Sequence, residues 1–246
     1  MCDINFMQKI DRQAIIIVIE YNHRKEKKVM KVLVACEESQ RVCVAFREMG
    51  HEAYSCDVQM CSGGHPEWHI MQDVIPLLNG NCEFETVDGT KHKIEGKWDL
   101  IIAHPPCTYL TGASAVELSK HPERLQKGFE SAKFFNSILN ADCEKICVEN
   151  PPPMKRFGLP KYSQLIRAYK IGEPHTKAYC LWLKGLSKLE VDETAEKPKA
   201  EYVWIHKATG KKKSGSKWYN SDNKNHRLHR SKTPIGLANA MAEQWG

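Results

Sequence analysis

Two side chains suited to covalent and acid–base chemistry follow apolar stretches of the sequence. The stretch WDLIIAHPPC (98–107) ends in two prolines and Cys107, and KICVEN (145–150) ends in Glu149 and Asn150 before three further prolines. A cysteine thiolate is a nucleophile, and a strand end near cations or backbone amides would favour that form. A carboxyl group fixed nearby can act as a general acid. A structural cysteine and a loop or helix-capping glutamate are the alternative interpretations.

The apolar runs that carry these residues predict strands alternating with helices. Strands are predicted at 31–36, 52–58, 69–74, 98–103, 145–150 and 178–186, and helices over 39–50, 122–140, 160–170 and 234–245. Ser39 is expected to cap the first helix, and the second is expected to turn Leu125, Phe129, Ala132, Phe135 and Leu139 inward. Residues 79–96 are polar and rich in turn formers. The alternation predicts an α/β fold with an open, mainly parallel, doubly wound sheet.

Polar or reactive residues follow five of the predicted strands. In an open α/β sheet, ligands bind beyond the carboxyl ends of the strands, so these residues are expected to converge on one edge. They are Cys36-Glu37-Glu38, Asp57, Asp73, His104-Pro105-Pro106-Cys107 and Glu149-Asn150.

The order of these motifs resembles that of the DNA cytosine-5 methyltransferases. That family has a Pro-Cys loop after its fourth strand and a Glu-Asn dipeptide after its fifth, matched here by Pro106-Cys107 and Glu149-Asn150. The resemblance covers roughly residues 31–185 and the last dozen. It is closest to short, phage-type members with little target-recognition domain. It implies a sheet of the S-adenosylmethionine-dependent methyltransferase type.

The resemblance also implies S-adenosylmethionine as cofactor and suggests where it binds. Asp57 matches the acid that holds the ribose, and Gln72-Asp73-Val74 matches the turn that meets the adenine. Gly236-Leu237-Ala238-Asn239 is similar to the last cofactor-facing motif. The family's glycine-rich first loop is replaced here by ACEES (35–39). The full set of expected cofactor residues is Ala35, Cys36, Glu37, Asp57, Asp73, Val74, Pro105 and Asn239.

The chemistry implied is methylation of cytosine at carbon 5. Cys107 would add to carbon 6 and so activate carbon 5, and Glu149 would protonate or hydrogen-bond the ring nitrogen that gains charge. The stretch from Gly172 to Lys177 looks like the family's Gly-x-Pro-Gln-x-Arg motif, so His175 or Lys177 would add positive charge nearby. A target base in duplex DNA would have to be flipped out of the stack.

Two other functions fit parts of the same sequence. His104-Pro105-Pro106-Cys107 also resembles the Asn/Asp-Pro-Pro-Tyr loop of amino-group methyltransferases, which would methylate cytosine or adenine at an exocyclic amine. The missing glycines after the first strand favour a third possibility, a non-catalytic DNA-binding protein on a degenerate methyltransferase fold. The cysteine in place of the aromatic, together with the downstream Glu-Asn, favours the carbon-5 reaction.

The net charge of +6 is concentrated near the carboxyl end. Residues 201–232 hold nine Lys or Arg against two acidic residues, interleaved with Trp204, Trp218 and Tyr219. Basic side chains neutralise phosphates and aromatic rings stack on bases, so DNA is the expected partner, although a solvated loop is the alternative. We expect nucleic-acid contacts at Lys211, Lys212, Lys213, Trp218, Arg227 and Arg230. This predicts three parts: an extension at 1–30, a catalytic domain of 31–186 and 233–246, and a basic insertion at 187–232.

Length and composition limit the remaining classes of function. The chain has 246 residues, and its longest apolar run, 14–19, is far shorter than the roughly 20 residues a membrane helix needs. No small-residue cleavage site follows that run. The ten cysteines include no Cys-x-x-Cys pair, which indicates reduced thiols. We therefore expect a monomeric, cytoplasmic protein of a bacterial or phage-infected cell, with no membrane partner.

A zinc site is the one metal centre that the spacing suggests. Cys56, Cys61, His65 and His69 follow a C-x4-C-x3-H-x3-H pattern, and all four are zinc ligand types. However, Cys56 lies within a predicted strand and Asp57 has a cofactor role in the matched pattern. We therefore predict no metal, and expect the loop around His65 to line the cofactor or base pocket.

Overall fold

The computed structural model describes residues 28–112, 118, 121–205, 210–215 and 231–246. The strands are β1 (Lys31–Ala35), β2 (Glu52–Asp57), β3 (His69–Met71), β4 (Cys82–Glu85), β5 (Lys91–Ile94), β6 (Leu100–Ala103), β7 (Ile146–Asn150), β8 (Gln164–Arg167), β9 (Ala178–Lys184), β10 (Tyr202–Ile205) and β11 (Lys212–Gly215). The helices are α1 (Arg41–Glu48), α2 (Glu123–Leu139) and α3 (Ile235–Trp245). Of the predicted extension at 1–30, only residues 28–30 are described.

Seven strands form one sheet in the order β3-β2-β1-β6-β7-β9-β8. The first five are mutually parallel, and β9 runs antiparallel to both β7 and β8. The predicted α/β fold with a mainly parallel sheet is therefore confirmed. The two pairs β4–β5 and β10–β11 are separate antiparallel ribbons.

Alternate residues of the central strands pack into two different cores. Val32 and Val34 of β1 face a core that contains α1 and α3, whereas Leu33 and Ala35 face one that contains α2 and Trp98. The strands are apolar on both faces because helices cover both, as in a doubly wound sheet. No helix among the described residues is both long and apolar enough to cross a bilayer.

Two local predictions were wrong, and one segment contains strands that were not predicted. Residues 160–170 form β8 and a short 3-10 turn, Ala168–Ile171, instead of a helix, because Leu165 and Ile166 pair with β9. The polar segment 79–96 contains the β4–β5 ribbon, whose turn holds Gly89 at φ +86°. In α2, Leu125 and Phe129 are exposed. Ala132 and Phe135 are buried as predicted, together with Gly128 and Ile138.

Candidate functional site

Strand register brings three of the strand-end residues to one edge of the sheet. Ala35 of β1 pairs with Ala103 of β6, which in turn pairs with Val148 of β7. The residues that follow these three, Cys36, His104 and Glu149, therefore lie side by side. The carboxyl ends of β1, β6 and β7 thus form the core of the candidate site.

The acidic residues expected to hold the cofactor lie at the next two strand ends. Because Ala35 pairs with Cys56, Cys36 is adjacent to Asp57 at the end of β2. Burial, reinforced mainly by the negative charge of Asp57 and more weakly by Asp73, raises the pKa of the Cys36 thiol far above its ordinary value. Asp57 is half-buried, Asp73 is exposed and Val74 is buried behind them. Cys36, Asp57 and Asp73 therefore form one group.

The turn after β1 has left-handed backbone conformations despite its lack of glycine. Cys36 has φ 57° and Gln40 has φ 59°, values that glycine adopts more readily than other residues. The loop after β2 packs closely on this turn. A Cβ atom on Gly63 would lie only 2.5 Å from the Cβ of Gln40. The chain thus makes a sharp turn here with side chains where the resembling family has glycines.

Glu37 is a helix cap in this structure. Its carboxylate accepts hydrogen bonds from the backbone N–H groups of Val42 (2.7 Å) and Cys43 (3.2 Å) in the first turn of α1. Burial raises the pKa of Glu37, and the neighbouring His104 and the two N–H donors oppose that rise. The prediction that Ser39 caps this helix was wrong, because the carboxylate of Glu37 reaches the helix end instead. Glu37 is therefore turned inward rather than toward a cofactor.

Cys107 is half-buried in a loop that begins with two prolines. Its carbonyl oxygen accepts hydrogen bonds from the N–H groups of Leu110 (3.0 Å) and Thr111 (3.3 Å), which close a tight turn. Burial raises the pKa of the Cys107 thiol, Glu149 raises it further, and the positive charge of Lys177 lowers it. Glu149 and Lys177 thus lie close enough to Cys107 for their charges to affect its thiol. The structure does not favour the thiolate as we expected, since burial and Glu149 outweigh Lys177.

Glu149 lies beside His104 with both side chains almost fully buried. Their relative exposures are 12% and 10%, and Glu149 Oε2 lies 3.2 Å from His104 Nδ1. The next residue, Asn150, donates from Nδ2 to the carbonyl oxygen of the buried Pro105 (2.7 Å). Glu149 Oε1 and Asn150 Oδ1 are buried without a hydrogen-bond partner among the described residues. Two such unsatisfied acceptors at one edge are typical of a site that binds a donor group.

His175 and Lys177 differ in the charge they carry. Burial, with a smaller contribution from Lys177, lowers the pKa of His175 to about 4. His175 is therefore neutral at pH 7, so the expectation that it adds positive charge was wrong. Its Nδ1 atom accepts a hydrogen bond from the Lys177 backbone N–H (3.3 Å). The Lys177 ammonium lies 4.6 Å from the centre of the Tyr179 ring and supplies the positive charge.

Two contacts at the site involve Thr233, which sequence reasoning did not name as a site residue. Thr233 Oγ1 lies 3.4 Å from His104 Nδ1 and 3.5 Å from its Nε2. The Thr233 carbonyl accepts a hydrogen bond from Arg41 of α1 (2.8 Å). His104 itself follows β6 directly, so the search for polar residues at strand ends selected it. No sequence pattern selected Thr233. Asn239 lies on the exposed side of α3 and is not part of the buried group.

The basic insertion is only partly described. Lys211 and Lys212 are exposed where β11 begins, and Lys213 pairs with Trp204 across the β10–β11 ribbon. Trp218, Arg227 and Arg230 lie outside the described residues.

The spacing of Cys56, Cys61, His65 and His69 does not produce a zinc site. The Cys56 thiol donates to the Gln72 carbonyl (3.4 Å). Both ring nitrogens of His69 are engaged, by Ser55 Oγ and the Gln59 carbonyl (2.9 Å each). Among the described residues, no group of three or more His, Cys, Asp or Glu is arranged to hold a metal ion.

Comparison with known proteins gives no independent indication of function. No protein-family model matches the chain, and no curated protein matches it.

Proposed function

We propose that the protein is a DNA cytosine-5 methyltransferase that transfers a methyl group from S-adenosylmethionine through a covalent Cys107 adduct. The observation that carries the proposal is that the Cys107 loop is joined to the end of β7, where Asn150 donates to the Pro105 carbonyl (2.7 Å), so that the charges of Glu149 and Lys177 reach the Cys107 thiol. The spacing of Cys107 and Glu149 in the sequence does not require them to meet. Their meeting at the edge where ligands bind in such sheets supports a shared role.

The roles of these residues follow from their surroundings. The Cys107 thiol passes its proton to the Glu149 carboxylate and its sulfur bonds to carbon 6 of cytosine, while Glu149 hands that proton on to the ring nitrogen that gains charge. Lys177 stabilises negative charge near the thiol. After methylation, a water molecule takes the carbon-5 proton, the carbon–sulfur bond breaks, and the proton on the ring nitrogen returns through Glu149 to the Cys107 thiolate. Because burial raises the thiol pKa, proton transfer to Glu149 is part of the step in which Cys107 attacks the base.

The group formed by Cys36, Asp57 and Asp73 has side chains that suit S-adenosylmethionine. The half-buried carboxylate of Asp57 and the exposed one of Asp73 suit the hydroxyl and amino groups of a nucleoside. The turn at Cys36, which has a positive φ, lies beside them. When bound, S-adenosylmethionine supplies an electrophilic methyl group.

The amino-group reaction is the second candidate, favoured by the raised pKa of Cys107, since that reaction needs no thiolate. Against it, the Pro105 carbonyl already accepts a hydrogen bond from Asn150, which reduces the acceptors that the loop offers an amine. Mass analysis of nucleosides from DNA incubated with the protein and S-adenosylmethionine distinguishes the products. 5-Methylcytosine supports the proposal, and N4-methylcytosine or N6-methyladenine supports the second candidate.

The non-catalytic alternative is tested by calorimetry. It is favoured by the side chains that replace glycines in the turn after β1. Binding of S-adenosylmethionine to the full chain supports a methyltransferase. Retained DNA binding with no detectable heat from the cofactor supports the alternative.

Trapping with 5-fluorocytosine tests the covalent step directly. Fluorine at carbon 5 cannot leave as a cation, so the adduct that follows methyl transfer is not resolved. We expect an oligonucleotide containing this base to form a stable complex with the protein in the presence of S-adenosylmethionine, with the modified peptide containing Cys107. The control is Cys82→Ala, which removes a half-buried cysteine on the β4–β5 ribbon and should still be trapped. Trapping of Cys107→Ala at the wild-type level would overturn the proposal.

A further inference from the structure

The two carboxyl oxygens of Glu149 have different environments. Oε2 lies 3.2 Å from His104 Nδ1, within the range of a charge-assisted or neutral hydrogen bond. Oε1 is buried and has no hydrogen-bond partner among the described residues. The first oxygen is thus held by the protein, and the second is left for a ligand.

The backbone around His104 restricts the position of its ring. The His104 N–H donates to the Ala35 carbonyl (3.0 Å), which joins the residue to the end of β1. Pro105 follows, and its carbonyl accepts the Asn150 amide from the end of β7 (2.7 Å). Because these contacts join His104 to β1 and β7, the imidazole and the Glu149 carboxyl have little freedom to separate.

Several other polar groups lie near the pair formed by His104 and Glu149. Thr233 Oγ1 lies 3.4–3.5 Å from both ring nitrogens of His104. The buried carboxyl of Glu37, from the turn after β1, is close enough for His104 to affect its ionisation. Cys107 lies close enough to Glu149 and Lys177 for their charges to affect the ionisation of its thiol.

We propose that His104 is a positioning residue that determines which oxygen of Glu149 carries the acid proton. This inference rests on the proposed function. A His104 ring with its proton on Nδ1 donates to Oε2, so the proton that Glu149 takes up from the thiol is carried on Oε1. As the Cys107 sulfur bonds to the base, Glu149 gives that proton from Oε1 to the ring nitrogen and becomes a carboxylate. His104 keeps its own proton and its hydrogen bond to Oε2 throughout.

The tautomer of His104 is measured by nitrogen NMR of the full chain labelled with ¹⁵N-histidine. We expect the Nδ1–H tautomer in the wild-type protein and loss of that preference in Glu149→Ala. His121 forms a similar contact with Glu123 at the surface (3.2 Å). A His121→Asn variant identifies its signal and so separates it from that of His104. An Nε2–H tautomer of His104 in the wild-type protein would overturn the inference.

Two substitutions at position 104 test the role in turnover. His104→Asn keeps an N–H donor near the place of Nδ1, whereas His104→Leu removes it. We expect His104→Leu to lower kcat about a hundredfold, the usual cost of a misplaced catalytic group, with little change in KM. His104→Asn should restore kcat to within about tenfold of wild type. A purely structural role would lower the melting temperature in proportion to the loss of kcat and would give no rescue by Asn.

The outcomes separate this inference from the proposed function. A wild-type protein that shows the Nδ1–H tautomer but transfers no methyl group overturns the proposed function, while the hydrogen bond between His104 and Glu149 stands. An active wild-type protein with His104→Leu at wild-type kcat overturns the positioning role alone.

Discussion

The negative charge of Glu149 adds to the larger effect of burial in raising the pKa of the Cys107 thiol, and Lys177 opposes both. These effects predict how fast Cys107 reacts with iodoacetamide, since only the thiolate reacts. We expect the rate to increase steadily from pH 7 to pH 10. Glu149→Gln should increase the rate at pH 8 and Lys177→Met should decrease it. Each change should be a severalfold difference in the rate at a fixed pH.

Mass spectrometry of the modified peptides gives these rates. Cys61 serves as an internal control, because its pKa is not affected by either substituted residue. Equal rates at Cys107 in the wild-type protein and both variants would show that the three side chains do not share a pocket.

Glu149→Gln tests the acid role. The substitution keeps the shape of the side chain but removes the proton that the ring nitrogen needs. We expect methyl transfer to fall by about 10²–10⁴-fold, the usual contribution of a general acid. Transfer of a radiolabelled methyl group to DNA measures the effect, and Glu130→Gln on the exposed face of α2 is the matched control. Wild-type turnover in Glu149→Gln would remove this residue from the mechanism.

Gly63 is predicted to be intolerant of a side chain. A Cβ atom there would lie 2.5 Å from the Gln40 Cβ and 2.7 Å from the Ser39 carbonyl oxygen. We expect Gly63→Ala to lower the free energy of unfolding by about 1–3 kcal/mol, as overpacking does. It should also weaken S-adenosylmethionine binding, because the turn after β1 must shift. Urea denaturation measures the first effect. Gly112→Ala, where a Cβ meets nothing within 4 Å, should be nearly neutral.

His175 predicts a loss of stability in acid. Its pKa is about 4 in the folded protein, against an ordinary value of 6.5. As the pH falls from 6.5 to 4, the unfolded chain takes up a proton that the folded protein does not, so folding is disfavoured. This contribution is absent above pH 6.5. His175→Asn should therefore flatten the dependence of unfolding free energy on pH in this window. An unchanged dependence would contradict the prediction, and His121→Asn at the surface should leave it as in wild type.

The basic residues at the start of β11 predict a salt-dependent affinity for DNA. If Lys211 and Lys212 each neutralise a phosphate, replacing both by alanine reduces the slope of log K against log salt by about 1.8, at about 0.9 per phosphate on duplex DNA. Fluorescence anisotropy at several salt concentrations measures the slope. The matched control replaces Lys91 and Lys93 on the β4–β5 ribbon and should leave it unchanged. A slope equal to wild type in the first variant would place the DNA contacts elsewhere.

Most of the central sheet was predictable because its strands are continuous apolar runs. Continuous runs such as Val32–Ala35 and Leu100–Ala103 are buried on both faces, and that pattern is visible without structural information. The error at 160–170 has a different origin. Strand β8 is short, and its conformation depends on hydrogen bonds to β9, which lies later in the chain. Pairing with a distant segment overrides local preference.

The candidate site was predictable where a residue lies at or just beyond the carboxyl end of a strand. This criterion selected Glu149, near the end of β7, and Cys107, four residues after β6, and it applies to His104 as well. It does not identify Thr233, which lies 129 residues from its contact His104. The criterion also assigned Glu37 to the cofactor site, whereas its carboxylate caps α1. Ser39 is the more typical capping residue, and only the turn geometry shows which side chain reaches the helix.

Strand β9 lies between β7 and β8 in the sheet, although it follows both in the chain. During synthesis, β7 and β8 therefore leave the ribosome before the strand that joins them exists. A nascent chain that ends before Ala178 leaves the hydrogen-bonding edge of β7 unpaired, and an open edge of this kind readily pairs with other chains. Completion of β9 therefore closes this edge of β7 during synthesis.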